Sequence, residues 1–158
     1  MALLVTAALG GVHLMAFATR GMHAARMQGT SALAAATRLD QLRSLRFEFD
    51  AGGLRLTDQV TDLTVDPPTP GGNGLAPGGA GTLDSNVPGF VDYLDGAGAW
   101  VGNGATPPRE AVFVRRWSIE APVHPDLLVL QVLVRPRPSG GGRQGETRLV
   151  TARARVQR

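Results

Sequence analysis

Residues 1–19 read MALLVTAALGGVHLMAFAT and include no Asp, Glu, Lys or Arg. An uncharged apolar stretch of 18 or more residues is typical of a helix that spans a membrane. No Pro and no turn-forming cluster separates this stretch from the residues after it, and a helical pattern continues to about Phe47. The sequence therefore predicts one long helix, with a transmembrane part at 1–20 and a soluble part at 21–49.

The soluble part of the predicted helix carries one apolar face, within an arc of about 140° at 100° per residue. Arg38 falls inside this arc, so we expect its guanidinium to reach solvent along its aliphatic stem. Leu33 points to the opposite side, where it is either exposed or in contact with a neighbouring molecule. The residues of the apolar face are Ala32, Ala35, Leu39, Leu42 and Leu45.

The chain after the helix, residues 50–158, predicts a globular antiparallel β domain. The stretch 66–88 is rich in Pro and Gly and is expected to be a loop, because Pro cannot donate to a strand ladder. The expected fold class is α+β: a long N-terminal helix, membrane-spanning in its first half, packed on a small antiparallel β-sheet. The predicted strands are one or two weak ones within 54–65, a hairpin of 90–94 and 99–101, and strands at 111–120, 127–134 and 148–156.

Two of these strands carry more detailed expectations. The strand at 127–134 is apolar on both faces except at Gln131, so it is predicted to be central in the sheet. The strand at 148–156 alternates between small or apolar side chains and polar ones. The alternation predicts that Val150, Ala152, Ala154 and Val156 point inward, and that Thr151, Arg153 and Arg155 point outward.

Composition sets further bounds on this chain. At 158 residues there is room for one domain plus the anchor. There is no Cys, which excludes disulfides and thiolate chemistry. All sixteen basic residues are Arg, a bias that we attribute to a GC-rich genome, and the net charge is +3. Because the Arg residues are spread along the chain, the pattern does not favour a nucleic-acid footprint.

No arrangement typical of catalysis or metal binding is present in the sequence. His13, His23 and His124 have no metal-ligand spacing and no carboxylate placed to orient them. The chain lacks a G-x-S-x-G nucleophile elbow. The glycines at 96 and 98 lie between two short strands and indicate a turn rather than a phosphate loop. We therefore predict no catalytic, cofactor-binding or metal-binding residue, and no enzyme activity.

Two weaker alternatives remain from the same search. Asp84, Asp92 and Asp95 could supply oxygen ligands to Ca²⁺, but their spacing matches no calcium loop. Trp100 and Trp117 could form a platform for a carbohydrate or a base. We predict instead that both tryptophans belong to the core or to a strand face.

Several segments resemble type IV pilin-like proteins of the minor pilin and minor pseudopilin kind. Residues 39–47, LDQLRSLRF, are similar to the end of that family's long helix, and residues 91–96, VDYLDG, to a hairpin that opens its sheet. Residues 114–119, VRRWSI, and 128–134, LVLQVLV, are similar to consecutive strands of the family. The first five residues, MALLV, look like the continuation of its leader-proximal segment.

The processing motif of the family is missing from this chain. That motif has a short basic leader, a Gly at the cleavage point, an aromatic residue that becomes N-methylated, and a Glu five residues into the mature chain. Here the nearest charges, Arg20 and Arg26, come after the apolar stretch instead of preceding it. We therefore expect that Met1 is an internal residue and that a basic leader lies upstream. The alternative is an anchored domain that faces the cytoplasm.

The resemblance implies a structural role. The chain would be a minor pilin or pseudopilin of a type IV pilus or type II secretion filament. It would be held in the bacterial inner membrane by a single pass, with its globular domain in the periplasm, before assembly. Its partners would be other subunits, through the N-terminal helix, and the assembly machinery. Two alternatives are a filament-tip module that binds DNA or a secreted substrate, and an unrelated membrane-anchored periplasmic domain.

Overall fold

The computed structural model describes residues 2–122, 124–137 and 145–157, and within them the side chains of Thr19 and of Gly21 onward. One helix, α1 (Ala2–Ser44), precedes all the strands in these ranges. The strands are β1 (Phe47–Phe49), β2 (Arg55–Thr57), β3 (Thr61–Asp62), β4 (Thr69–Pro70), β5 (Val91–Leu94), β6 (Trp100–Asn103), β7 (Phe113–Glu120), β8 (Leu127–Pro136), β9 (Thr147–Ala154) and β10 (Val156–Gln157).

The strands form three sheets in the described part of the chain. The largest has five antiparallel strands in the order β6-β5-β7-β8-β9. A second sheet has the order β10-β1-β2, in which β1 and β10 run parallel, and β3 and β4 form a two-stranded ribbon. The long strands β7 and β8 pair along their whole length, with Ser118 opposite Gln131. These two strands therefore form the platform on which the other elements are arranged.

The main core lies between α1 and one face of the five-stranded sheet. Ala35 and Leu42 of the helix are fully buried in it. Alternate residues of a strand share one face, and in β7 the buried helix-side residues include Phe113, Trp117 and Ile119. The corresponding residues of β8 are Leu128, Leu130, Val132 and Val134.

A smaller core lies on the opposite face of the same sheet. Val91 and Tyr93 of β5 pack there with Val114 of β7 and with Ala111. The Tyr93 hydroxyl donates a hydrogen bond of 2.8 Å to the carbonyl of Gly104. Both faces of the sheet centre are therefore covered, which explains why β5 and β7 are buried almost throughout.

The fold class predicted from the sequence is wrong. Three sheets rather than one small sheet make up the body, and one of them contains a parallel pair. None of the helical residues that the structure describes forms a segment long and apolar enough to cross a membrane. Much of the predicted span falls on residues 1–18 and 20, whose side chains lie outside the described ones. Strands dominate because the chain after Ser44 consists of short β-forming segments between turns.

The helix face also differs from its predicted position. Leu33 is 70% exposed, as predicted, and Leu42 is buried. Ala32 was predicted to face the core but is exposed, whereas Ser31 is buried. Ser31 can be buried because its hydroxyl is within 3.0 Å of the Gln28 carbonyl and 2.9 Å of the Thr147 hydroxyl oxygen. Arg38 does not reach solvent, since its exposed fraction is 1%.

The alternation of the last long strand runs opposite to the prediction. In β9, Leu149, Thr151 and Arg153 are half-buried, whereas Val150 is 58% exposed. The reason is that Arg153 donates to backbone carbonyls at the end of α1, including that of Leu42, and this fixes the register of the strand. The residues wrongly predicted to point inward are Val150, Ala152, Ala154 and Val156.

One further prediction for the β domain is confirmed and two need adjustment. The hairpin predicted around 90–101 is confirmed as β5 and β6. The strand predicted to be central, β8, lies next to the central strand β7. The stretch 66–88 is not wholly a loop, because Thr69 and Pro70 pair with β3, and Leu75 and Thr82 are buried.

Candidate interaction surface on the long helix

The helix α1 is fastened to the sheet by a buried ionic centre. Asp92 of β5 is fully buried and lies between two arginines. Arg115 Nε and Nη2 donate to Asp92 Oδ1 and Oδ2 at 2.9 and 2.6 Å, and Arg38 Nη2 donates to Oδ2 at 2.6 Å. Arg115 Nη1 also donates to the Ala34 carbonyl of the helix at 3.3 Å. The centre thus joins α1, β5 and β7 at one point.

Arg38 adapts to burial through a stacking contact and a backbone acceptor. Its guanidinium carbon lies 4.6 Å from the centroid of the Trp117 ring, and Nη1 donates to the Leu63 carbonyl. Burial lowers the pKa of Arg38 from its ordinary value to about 10, while the charge of Asp92 raises it and that of Arg115 lowers it. Arg38 therefore stays protonated at neutral pH. The centre contains two cations and one anion.

A second fastening holds the carboxyl end of the helix. Arg153 of β9 donates from Nη1 to the Leu42 carbonyl at 3.1 Å and from Nη2 to the Leu45 carbonyl at 2.6 Å. The last carbonyls of a helix lack partners within it and carry partial negative charge, so a cation there is favourable. Phe47 lies below the guanidinium carbons of Arg153 and Arg155, at 5.5 and 3.9 Å from its ring centroid. The helix end is therefore fixed in both position and direction.

The opposite side of the helix offers exposed apolar side chains. Met22 and Leu33 are 67% and 70% exposed. Beside Leu33 lies a groove of about 170 Å³ between the helix and the β5–β6 hairpin. Gln41 lines this groove, and its Oε1 is buried without a hydrogen-bond partner among the described residues. We call this region the helix groove; its lining includes Thr30, Leu33, Thr37, Gln41, Gly98 and Arg115.

The histidines singled out in the sequence are not brought together. His13 lies outside the residues with described side chains. His23 is exposed, and His124 is exposed with its Nδ1 3.6 Å from Asp126 Oδ2. In the part of the chain that the structure describes, no three His, Cys, Asp or Glu side chains are grouped to hold a metal ion.

The three aspartates weighed as calcium ligands lie in different surroundings. Asp92 is occupied by the two arginines of the buried centre. Asp95 Oδ1 accepts hydrogen bonds from the backbone N–H groups of Ala97 and Ala99, which closes the turn between β5 and β6. Asp84 lies in the stretch 66–88, where its backbone carbonyl accepts a hydrogen bond from Arg116 at 3.3 Å.

The two tryptophans are not arranged as a platform for a ligand. Trp117 is buried in the main core, as predicted. Trp100 is half-buried, and its Nε1 donates to the Thr64 carbonyl at 2.8 Å. Thr64 Oγ1 in turn accepts from Asn103 Nδ2 at 2.8 Å. Trp100 thus ties the β5–β6 hairpin to the segment after β3.

Sequence reasoning missed the buried ionic centre, although one signal pointed to it. Arg38 stands inside the apolar stripe of the helix, where a charge that cannot reach solvent requires a buried partner. The partners, Asp92 and Arg115, lie in strands that otherwise read as apolar or alternating. Only the pairing of β5 with β7, which sets Asp92 opposite Arg115, brings them together.

Comparison with protein family models, with curated proteins and with solved structures finds no match for this chain. The described residues form a β-rich body to which one helix is fixed at two points, with Met22 and Leu33 of that helix exposed.

Proposed function

We propose that this chain is a structural subunit of a filament, of the minor pilin or pseudopilin kind found in type IV pili and type II secretion systems. The observation that carries the proposal is the helix groove with Leu33 exposed at its rim. A neighbouring subunit laid along this side of α1 would cover Leu33 and could donate a hydrogen bond to Gln41. The similarity of residues 39–47 and 91–96 to family segments favours the same role.

The way the helix is held fits a part that transmits force between subunits. The Asp92 centre fixes α1 at Arg38, and the Arg153 contacts fix it at Leu42 and Leu45. A buried ion pair contributes little net stability relative to an apolar core, but it can select one arrangement over others. A helix that serves as a contact surface needs a single position on its body, and both fastenings supply one.

A single exposed leucine is a weak contact by itself. Burying one leucine side chain contributes about 1.5–3 kcal/mol, which is less than the free-energy cost of associating two free molecules. In a filament the same contact repeats in every subunit, and further contacts add to it. The proposal places the globular part in the periplasm, with other filament subunits and the assembly machinery as partners.

Cysteine crosslinking tests this proposal, because the chain has no cysteine of its own. Leu33→Cys places one thiol on the helix groove, and Leu54→Cys places one on an equally exposed leucine outside it, since Leu54 is 69% exposed. In the native host, a bismaleimide should join Leu33→Cys to another filament subunit carrying a matching single cysteine, and Leu54→Cys should give much less product. Equal yields from both positions, or no product from Leu33→Cys, would overturn the proposal.

A charge placed on the same surface gives a second measurement. Leu33→Asp should reduce the number of filaments, or the amount of secreted substrate, because an unpaired carboxylate would have to be desolvated at the contact. Leu54→Asp is the matched control and should leave assembly unchanged. The folded state of both variants is checked by circular dichroism, so that a loss of assembly is not confused with unfolding.

A further inference from the structure

A cavity of about 280 Å³ lies on the face of the five-stranded sheet that points away from the helix. Tyr93, Val114 and Arg135 stand side by side on β5, β7 and β8, because Tyr93 pairs with Val114 and Val114 with Arg135. Arg116 is the next residue after Val114 on the same face of β7. We call this the arginine cavity; its lining includes Asn86, Tyr93, Val114, Arg116, Arg135 and Arg137.

The cavity has an apolar floor and a cationic rim. Tyr93 and Val114 belong to the buried second core and form the floor. Arg116, Arg135 and Arg137 supply three guanidinium groups, and among the described residues that line the cavity none is acidic. Three positive charges around one concave space create a local potential that attracts an anion.

Arg135 contributes a partly exposed guanidinium to this cavity. Its Nε is buried and makes no hydrogen bond with any residue that the structure describes. That nitrogen forms an ion pair with Glu146, whose Oε2 lies 3.7 Å away, a distance too long for a hydrogen bond. The Arg135 side chain as a whole is 40% exposed, so the terminal nitrogens of its guanidinium are the donors open to a ligand.

Arg116 is held rigidly beside Arg135. It is 9% exposed, and its Nε and Nη2 donate to Asn86 Oδ1 at 3.0 and 2.6 Å. Its Nη1 donates to the Leu83 carbonyl at 3.1 Å. Burial lowers the pKa of Arg116, and the positive charge of Arg135 lowers it further. An anion between the two guanidinium groups would relieve this repulsion.

We propose that the arginine cavity binds a phosphate-type oxyanion, either free or as the terminal group of a larger molecule. Guanidinium groups present several N–H donors in a planar fork, which matches the oxygen spacing of a phosphate. The terminal nitrogens of Arg135 would donate to the phosphate oxygens, and the charges of Arg116 and Arg137 would complete the rim. The apolar floor leaves room for a small organic group beside the phosphate. This inference does not rest on the proposed function.

Titration calorimetry of the full chain at low ionic strength tests the proposal, with inorganic phosphate, a sugar phosphate and acetate as separate probes. Phosphate should bind and acetate should bind at least about tenfold more weakly, a difference of about 1.4 kcal/mol. Arg135→Gln should weaken phosphate binding at least about tenfold. Arg148→Gln is the matched control, because Arg148 lies on the same face of the sheet, donates to Gln131, and is outside this cavity.

The probes and variants separate every outcome. Tighter binding of the sugar phosphate indicates a phosphate carried on a larger molecule, and tighter binding of inorganic phosphate indicates the free anion; both support the site. No phosphate binding up to roughly 10 mM, about −2.7 kcal/mol of binding free energy, would overturn it. Equal weakening by Arg135→Gln and Arg148→Gln would show a diffuse charge effect and would also overturn it. If Arg135→Gln does not fold, Arg137→Gln replaces it with the same expected loss.

Discussion

Arg115 and Asp92 form a two-point pair in the middle of the sheet, with Nε–Oδ1 and Nη2–Oδ2 distances of 2.9 and 2.6 Å. They stand opposite one another on β7 and β5. The same carboxylate also accepts from Arg38 of the helix. Asp92 is therefore the single anion that both arginines share, and the attachment of α1 to the sheet depends on it.

The first prediction concerns this shared anion. Asp92→Asn removes the carboxylate that pairs with the buried Arg38 and Arg115 side chains. Removing one partner of a buried ionic group leaves an uncompensated charge and costs about 3–5 kcal/mol. Denaturant unfolding should show this loss in the free energy of unfolding.

The control for that variant is Asp40→Asn. Asp40 lies 3.7 Å from Arg43 at the exposed surface of the helix, and such a pair contributes about 0–1 kcal/mol. A loss for Asp92→Asn as small as that for Asp40→Asn would mean that the centre does not hold the helix.

The second prediction concerns the two sides of the helix. Leu42 is fully buried in the main core, so Leu42→Ala should cost about 2–5 kcal/mol of unfolding free energy. Leu33 is exposed, so Leu33→Ala should change the stability of the single chain by no more than about 0.5 kcal/mol. Equal losses in denaturant unfolding would contradict the orientation of α1.

The third prediction concerns the carboxyl end of α1. Arg153→Met keeps an unbranched apolar side chain but removes the guanidinium, and with it the hydrogen bonds to the Leu42 and Leu45 carbonyls and the contact with the Phe47 ring. Each hydrogen bond to a charged donor contributes about 1.5–3 kcal/mol, so a loss within or above that range is expected. Arg148→Met, on the exposed side of the same strand, should be nearly neutral. Faster amide hydrogen exchange at the end of α1 in Arg153→Met, but not in Arg148→Met, would also show that Arg153 holds the end of the helix.

The fourth prediction concerns pH. Asp126 joins the second sheet to the largest one, because it accepts from Arg55 at 2.7 Å and from Arg155 at 2.8 Å. Hydrogen bonds from Arg55 lower the pKa of Asp126 from 3.8 to about 2, and those from Arg155 act in the same direction. A carboxyl whose pKa is lower in the folded state contributes stability above its unfolded pKa and loses it as the pH falls through the folded one.

The stability of the wild-type chain should therefore fall relative to Asp126→Asn between about pH 5 and pH 1. Above about pH 5 the difference between the two chains should be constant. Urea unfolding at a series of pH values measures this difference in unfolding free energy. A difference that does not change down to about pH 2 would contradict the pKa assigned to Asp126.

Local patterns in the sequence determined a good part of the secondary structure. The hairpin of β5 and β6 arises from short alternating segments around a Gly-containing turn, and the β7 and β8 strands from β-forming runs. The burial of Leu42 and the exposure of Leu33 result from the helical period of 3.6 residues. These properties depend on neighbours within a few residues, which is why the sequence alone contains them.

The tertiary structure decided which polar residues became buried. The alternation of β9 favoured Val150 pointing inward. Arg153 points inward instead, because its guanidinium donates to backbone carbonyls at the end of the helix. Arg38 is buried because β5 and β7 bring Asp92 and Arg115 beneath it. The arginine cavity exists only because three strands set Tyr93, Val114 and Arg135 in a row. These relationships join residues far apart in the chain, and their energies depend on burial and on shared partners, so no local pattern contains them.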